Sequence, residues 1–188
     1  MDADRTRRVL LEAAYEEFAH KGYAGARVHE IAARAKVNKQ LINYYFGGKE
    51  GLYRTLQSQW LKYEESFHDP ERSATDVATS YLNSGLDDPR STRLMVWRGL
   101  SYAEGEQTPD EEPVQDLSGI IARQQTGDLD PDLDPACVLL GMMAMTTAPH
   151  VMPDMVKKLF GVEASDPEFR ARYTAFVRDA VSRLGPRR

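Results

Sequence analysis

The chain has 188 residues, of which 41% are hydrophobic and 28% charged, a composition that excludes a disordered protein. Its formal net charge of −5 is uneven: residues 1–56 contain 10 Lys/Arg and 7 Asp/Glu, whereas residues 57–188 contain 14 and 22. We term residues 1–56 the head and residues 57–188 the body. A basic head and an acidic body are expected if only the head binds nucleic-acid phosphate.

Cysteine usage and hydropathy narrow the class of protein further. The single cysteine, Cys137, excludes an internal disulfide and a multi-cysteine metal site, and its apolar neighbours predict a buried, inert thiol. The N-terminus lacks the apolar segment of a secretory signal. The longest apolar stretch, residues 136–151, is interrupted and falls short of the ~20 residues that span a bilayer. We therefore expect a soluble cytoplasmic protein with no membrane partner.

The hydrophobic spacing predicts an all-α chain. Helices are expected at residues 4–21, 28–35, 39–46, 49–67, 71–85, 90–104, 113–126, 136–148 and 166–184. Gly22 should end the first helix, and residues 105–112 form an acidic loop or a helix entry. Residues 128–135 read as a linker whose last residues cap the next helix. Pro149 and Pro153 should kink or end that helix.

Two of these helices, 28–35 and 39–46, are separated by only three residues and form a predicted helix-turn-helix. Asn38 is a good N-cap for the second of them. With that cap, Lys39, Gln40 and Asn43 lie on the first turns and point outward. In a DNA major groove, Lys suits guanine, whereas Gln and Asn suit adenine. A merely solvated helix face is the alternative for these three residues.

Residues around this motif suit contacts with the DNA backbone. Tyr44 and Tyr45 have apolar faces and hydroxyls that reach phosphate or a thymine methyl, although core packing is an equal alternative for Tyr45. Lys49 combines a positive side chain with free backbone donors at a helix start, which favours phosphate. Arg27 and His29, at the start of helix 28–35, are further backbone candidates, with a solvated surface as the alternative for His29.

Residues 6–56 resemble the DNA-binding head of the TetR/AcrR family of transcriptional regulators. The matching stretches are Arg8–Phe18, Lys21–Tyr23, Ile31–Ala32, Ala35–Val37, Tyr44–Phe46 and Lys49–Leu52. The resemblance implies an N-terminal three-helix DNA-binding head, residues 1–48, and a C-terminal helical ligand-binding and dimerisation domain, residues 49–188. By position it puts Lys39, Gln40, Asn43 and Tyr44 near bases and Lys49 on phosphate.

Three residues depart from the family pattern. Arg27 stands where Thr or Ser usually begins the second helix, so a longer, basic side chain replaces a small one as the contact with phosphate. Lys36 stands where a turn glycine is common and must adopt the turn conformation at some cost. Asn43 stands where a tyrosine is frequent.

The body of the chain is rich in methionine and aromatic residues, which suit a promiscuous apolar pocket. Trp97, Tyr102, Met142 and His150 are the candidate ligand-binding residues, with Trp97 and His150 as the preferred pair. Core packing or a dimer surface is the alternative for most of these side chains.

Helices 136–148 and 166–184 are the predicted homodimer surface, since family members pair two such helices from each subunit. Gly141 and Ala144 permit close approach, and Phe169, Phe176 and Val177 are expected apolar anchors.

The predicted function is a homodimeric repressor released from a palindromic operator by a small apolar ligand, with helix 49–67 as the lever. A ligand-independent or partner-controlled regulator, or an activator, is the alternative. An enzyme is disfavoured because His20, His29, His68 and His150 lack metal-ligand spacing and no glycine-rich phosphate loop is present. No cofactor is expected.

Overall fold

The computed structural model describes residues 2–65, 69, 71–103, 109 and 116–186, and over these residues the chain is helical without strands. The predicted all-α fold is confirmed. The ten helices are α1 (Ala3–Gly25), α2 (Val28–Ala35), α3 (Gln40–Phe46), α4 (Lys49–Glu65), α5 (Ala74–Asp87), α6 (Arg90–Ala103), α7 (Ser118–Gln125), α8 (Pro135–Val151), α9 (Pro153–Phe160) and α10 (Pro167–Ser182).

The helices belong to two compact units. The head unit comprises residues 1–63 and 90–111, and the body unit comprises residues 64–89 and 112–188. The head unit thus includes α4 and α6 as well as the three N-terminal helices. The division of the chain into domains after residue 48 stays a prediction.

One apolar cluster holds the head unit together. Its largest fully buried side chains come from four different helices and include Leu10, Phe18, Ile31, Ile42 and Leu52. On α1 the buried residues recur every three to four positions, at Leu10, Ala13, Ala14 and Phe18. The helix therefore buries one stripe and leaves the opposite face to solvent. Burial of Ile42 on α3 fixes which side of that short helix faces outward.

Gly22 breaks α1, as predicted, but the chain then resumes helical conformation as far as Gly25. The Gly22 backbone has φ 67° and ψ 178°, a combination open to glycine. The Trp97 ring of α6 packs on the same residue, since a Cβ added there would lie 3.0 Å from Trp97 Cδ2. Gly22 therefore both redirects the backbone and provides the surface on which α6 rests.

A second glycine, Gly51, sets the approach of α4 to α3. A Cβ added at Gly51 would lie 1.8 Å from the carbonyl oxygen of Phe46, far inside van der Waals contact. The turn before it is made by Gly47 and Gly48, both with positive φ. The start of α4 is consequently held against the last turn of α3.

In the body unit, α5, α8 and α10 pack around a core that includes Leu82, Met142 and Val181. Asp134 caps α8, as the linker pattern predicts, because its Oδ1 accepts hydrogen bonds from Ala136 N at 2.8 Å and Cys137 N at 3.0 Å. The predicted burial of Cys137 is wrong: its side chain is exposed. The apolar run around it lies partly on the outward face of α8.

A further expectation for the C-terminal helices is wrong. Phe169 and Val177 are fully buried within the body unit, so neither is an outward dimer anchor. Of the two prolines expected to kink or end α8, Pro149 lies inside the helix, which continues to Val151 and ends before Pro153. Pro153 is the first residue of α9, where a missing N–H costs nothing, and α9 itself was not predicted.

Other helix boundaries differ modestly from the sequence pattern. Helix α7 begins at Ser118 and α5 at Ala74, later than expected. The predicted end of the fourth helix at residue 67, and the acidic segment 105–112 except residue 109, lie outside the described residues.

Within the described part of the chain, no single helix is long and apolar enough to cross a membrane. Helices α8 and α9 pass that test of length and composition only when taken together, and they are bent by 82° at their junction.

Gly51→Ala should destabilise the head unit by about 3 kcal/mol, because the new methyl group has no room beside the Phe46 carbonyl. Gly99→Ala on α6 is the matched control: nothing lies within 4 Å of its added Cβ, and alanine favours a helix. Urea unfolding of both variants measures the difference. Equal stability of the two would contradict the close approach of α3 and α4.

Candidate DNA-binding site

The turn between α2 and α3 depends on a left-handed lysine. Lys36 has φ 55° and ψ 41° and is the one non-glycine residue with positive φ among those described. Its N–H donates to Ala33 O at 3.1 Å, and the N–H of Val37 donates to Ala32 O at 3.1 Å. These bonds satisfy carbonyls at the end of α2 and turn the chain towards α3, at the backbone cost predicted for a non-glycine residue.

The start of α3 is capped by Asn38, as predicted. Its Oδ1 accepts a hydrogen bond from Gln40 N at 2.9 Å, and Lys39 already has helical φ and ψ. Ile42 and Phe46 face the core, and Leu41 packs partly against it. The opposite side of α3 consists of exposed side chains, namely Lys39, Gln40, Asn43 and Tyr44, which we term the reading face.

The two tyrosines of α3 have different surroundings. Tyr44 is 79% exposed, whereas Tyr45 is half-buried against the head core. Their rings meet edge to face with centroids 4.9 Å apart. The Tyr44 ring is thus largely exposed, and it packs against the half-buried Tyr45 ring.

Arg27 and Lys49 converge on one backbone oxygen, and we term them the cation pair. The Arg27 Nη1 donates to Ala24 O at 3.1 Å, and Lys49 Nζ donates to the same oxygen at 3.3 Å. Lys49 Nζ also lies 4.5 Å from the centre of the Tyr23 ring. Neither cation forms an ion pair with a carboxylate of the described residues.

The electrostatics of the cation pair favour a bound anion. Burial lowers the pKa of Lys49, and the charge of Arg27 lowers it further. An oxyanion beside both side chains would relieve this repulsion and stabilise the charged lysine. Phosphate oxygens fit that requirement, and the free N–H groups at the start of α4 are further donors for them.

His29 is exposed on the first turn of α2, near the cation pair in sequence. The neighbouring Glu30 forms an ion pair with Lys21 instead. The contact of His29 with the DNA backbone stays a prediction.

A cluster of charged residues between α1 and α2 was not predicted from the sequence. Glu17 of α1 is 1% exposed and pairs with Lys21 Nζ at 2.8 Å and Arg34 Nη2 at 3.9 Å. The hydrogen bond from Lys21 to Glu17, and then that to Glu30, raise the pKa of Lys21. The cluster ties α1 to α2, and only the i,i+4 spacing of Glu17 and Lys21 signalled it in the sequence.

The four candidate ligand-binding residues lie in different units. Trp97 packs on Gly22 in the head unit, where Tyr102 is 84% exposed. In the body unit, Met142 is a core residue. The His150 ring packs closely on Gly85, where an added Cβ would lie 2.5 Å from its Nε2. The ligand-binding role of these four residues stays a prediction.

The body unit has an open groove of about 480 Å³ between α5 and α10. It is lined by Asn83, Pro167, Arg170, Ala171, Thr174, Ala175 and Arg178. Two of these residues are arginines paired with carboxylates, since Arg170 Nη1 lies 2.5 Å from Asp87 and Arg178 Nη2 lies 3.3 Å from Asp76. None of the four predicted ligand-binding residues lines this groove.

The fold and the exposed face of α3 define a helix-turn-helix protein. Residues 10–56 match the family of bacterial regulatory proteins known as the tetR family, and residues 75–183 match the tetracycline-repressor-like C-terminal domain. The chain belongs to the TetR family of DNA-binding transcriptional regulators and is not an enzyme.

Individual relatives support this assignment. The chain is 31% identical to the HTH-type transcriptional repressor SCO4008 of Streptomyces coelicolor over 170 residues, covering 85% of this chain and 86% of that protein. It is 27% identical to the HTH-type transcriptional regulator RutR of Escherichia coli over 175 residues, covering 87% and 82%. The solved structure of SCO4942 from Streptomyces coelicolor matches with a TM-score of 0.75 and 27% identity, over 97% of this chain and 99% of that one.

Affinity for DNA falls as salt concentration rises. Arg27→Gln and Lys49→Gln should each reduce the magnitude of the slope of log affinity against log salt concentration by about 0.9, the effect of losing one phosphate contact. Lys62→Gln, an exposed lysine further along α4, is the matched control and should leave the slope unchanged. Fluorescence anisotropy over a salt series measures the slopes. An unchanged slope in both cation-pair variants would show that Arg27 and Lys49 bind no phosphate.

Proposed function

We propose that this protein is a homodimeric transcriptional repressor that holds a palindromic operator through α3 of each subunit and releases it when a small apolar effector binds. The observation that carries the proposal is the reading face. Lys39, Gln40 and Asn43 are exposed on the first turns of a helix whose other side is fixed by Ile42 and Phe46. Long polar side chains on an immobilised helix are what base recognition in a major groove requires.

Phosphate contacts would fix the register of this helix in the groove. The proposed contacts come from Arg27, His29, Tyr45 and Lys49, the cation pair supplying the charge and Tyr45 a hydroxyl. Such contacts carry no sequence information but orient the protein on the duplex. Specificity would then come from Lys39, Gln40 and Asn43, with the Tyr44 ring against a thymine methyl.

The proposed homodimer rests on an unpaired apolar face of α8. Cys137, Leu140, Gly141, Ala144 and Val151 recur at helical spacing, and all five are exposed. Leu140 is 69% exposed, which is unusual for a leucine in the middle of a long helix. On α10, Phe176 is 53% exposed and offers a second apolar contact. Two copies pairing these faces would also pair two half-sites of DNA.

Repression, rather than activation, is favoured by the relative from Streptomyces coelicolor, which is named a repressor and matches over most of both chains. Release by an effector would follow if bound ligand shifts a head-unit helix and so changes the half-site spacing. Helix α4, which begins at Lys49, is the proposed lever. Screening apolar molecules for loss of operator binding distinguishes this protein from a ligand-independent or partner-controlled regulator.

Lys39→Ala combined with Gln40→Ala should abolish specific operator binding, with a loss of about 2–5 kcal/mol, because two base-reading side chains are removed. The matched control is Lys62→Ala with Gln59→Ala on α4, which removes the same residue types from another exposed surface. Operator fragments obtained by binding-site selection serve as the probe. If the reading-face variant retains full sequence preference, α3 is not the recognition helix.

Leu140→Glu should dissociate the dimer, because it places a charge within the proposed apolar interface. Leu159→Glu on α9 is the control, since Leu159 is 71% exposed but lies outside α8 and α10. Sedimentation equilibrium measures the subunit state, and operator affinity should fall with dissociation. A dimer that survives Leu140→Glu, or dissociates equally with Leu159→Glu, argues against the α8 interface.

A further inference from the structure

The side chain of Arg7, on the first turns of α1, reaches the C-terminal end of α3. Its Nη1 lies 3.5 Å from the carbonyl oxygen of Tyr45. Its guanidinium carbon lies 5.1 Å from the centre of the Phe46 ring. Thirty-eight residues of sequence separate Arg7 from Tyr45, so this is a tertiary contact that the fold creates.

These two contacts orient the guanidinium without neutralising it. The last carbonyls of a helix carry partial negative charge, and a ring face attracts a cation weakly. Neither contact supplies a full counter-charge. One donor and one face of the guanidinium are used, and the remaining N–H groups lie on an exposed side chain.

Three other arginines of the head unit differ in this respect. Arg34 pairs with Glu17, Arg54 with Glu50 at 3.0 Å, and Arg90 with Glu12 at 2.5 Å. Arg7 forms no ion pair with any carboxylate in the described part of the chain. It is therefore a cation held beside α3 with its charge still available.

The expected position of α3 in DNA puts this cation beside the backbone. A helix of seven residues is about 10 Å long, comparable with the ~12 Å width of the major groove. When the first turns of α3 meet the base edges, its C-terminal end approaches a phosphate strand that borders the groove. We propose that Arg7 binds a DNA phosphate there, as a contact separate from the cation pair.

This inference rests on the proposed function, because it assumes that α3 enters the groove. It adds a specific role for an α1 residue outside the helix-turn-helix. Since the guanidinium is already oriented by Tyr45 and Phe46, binding a phosphate requires little further ordering of the side chain. The planar group also allows two parallel hydrogen bonds to phosphate oxygens.

The test compares Arg7→Gln with Arg8→Gln in the full-length protein. Arg8 is the next residue, is also exposed, and forms no hydrogen bond to α3 within the described residues. Arg7→Gln should weaken binding roughly three- to tenfold on every DNA sequence and lower the salt slope by about 0.9. Arg8→Gln should lower the slope by much less, and Arg7→Lys should keep most of the slope because it keeps the charge.

Both the selected operator and a random-sequence duplex serve as probes, and circular dichroism melts check that each variant is folded. A normal slope with Arg7→Gln overturns the proposal even if affinity falls, because Arg7 would then only support α3. Equal slope losses in the Arg7 and Arg8 variants also overturn it, since general charge would explain both. If the random duplex shows the Arg7 effect but no operator is found, the phosphate contact stands and the proposed sequence-specific function fails.

Discussion

The close contact between the last turn of α3 and the first turn of α4 is the constraint on which the head unit depends. Because the carbonyl of Phe46 occupies the space where any side chain at residue 51 would begin, α4 can lie against α3 only with glycine there. That contact seats Phe46 in the core and fixes the direction of α3. It also brings Lys49, the first residue of α4, back towards Ala24. One missing methyl group thus positions both the reading face and half of the cation pair.

The charges of the head unit are divided between two roles. One group is neutralised internally, as in the cluster around buried Glu17 that ties α1 to α2. The other group is anchored only by neutral partners: Arg27 and Lys49 by the Ala24 carbonyl, and Arg7 by the end of α3. Neutralised ion pairs contribute to the architecture, whereas cations held by carbonyls and rings keep their charge for an outside anion. The modest net positive charge of residues 1–56 understates this, since a net count does not distinguish the two groups.

Local patterns in the sequence predicted the motif well. The Asn38 cap and the cost at Lys36 both depend on neighbouring residues, and each is found in the structure. The turn is one residue longer than predicted, since α2 ends at Ala35 and α3 begins at Gln40. Features that depend on packing partners far along the chain were not predicted. An apolar run does not reveal which of its members face outward, which is why Cys137 was expected to be buried. Likewise, the sequence signals a proline but not whether a helix accommodates it, as α8 does Pro149.

The same distinction applies to Trp97, whose aromatic character suggested a ligand pocket. In the structure its ring rests on Gly22, one residue before Tyr23 and two before Ala24, which together hold Lys49. Helix α6 is also fixed to α1 by Arg90, which pairs with Glu12 at 2.5 Å. A displacement of α6 would therefore move the Tyr23–Ala24 segment against which the cation pair is held, and it would do so without a prior movement of α4. The proposed effector response thus has two helices through which to act: α4, which carries Lys49 itself, and α6, which packs on the segment that holds Lys49 and Arg27.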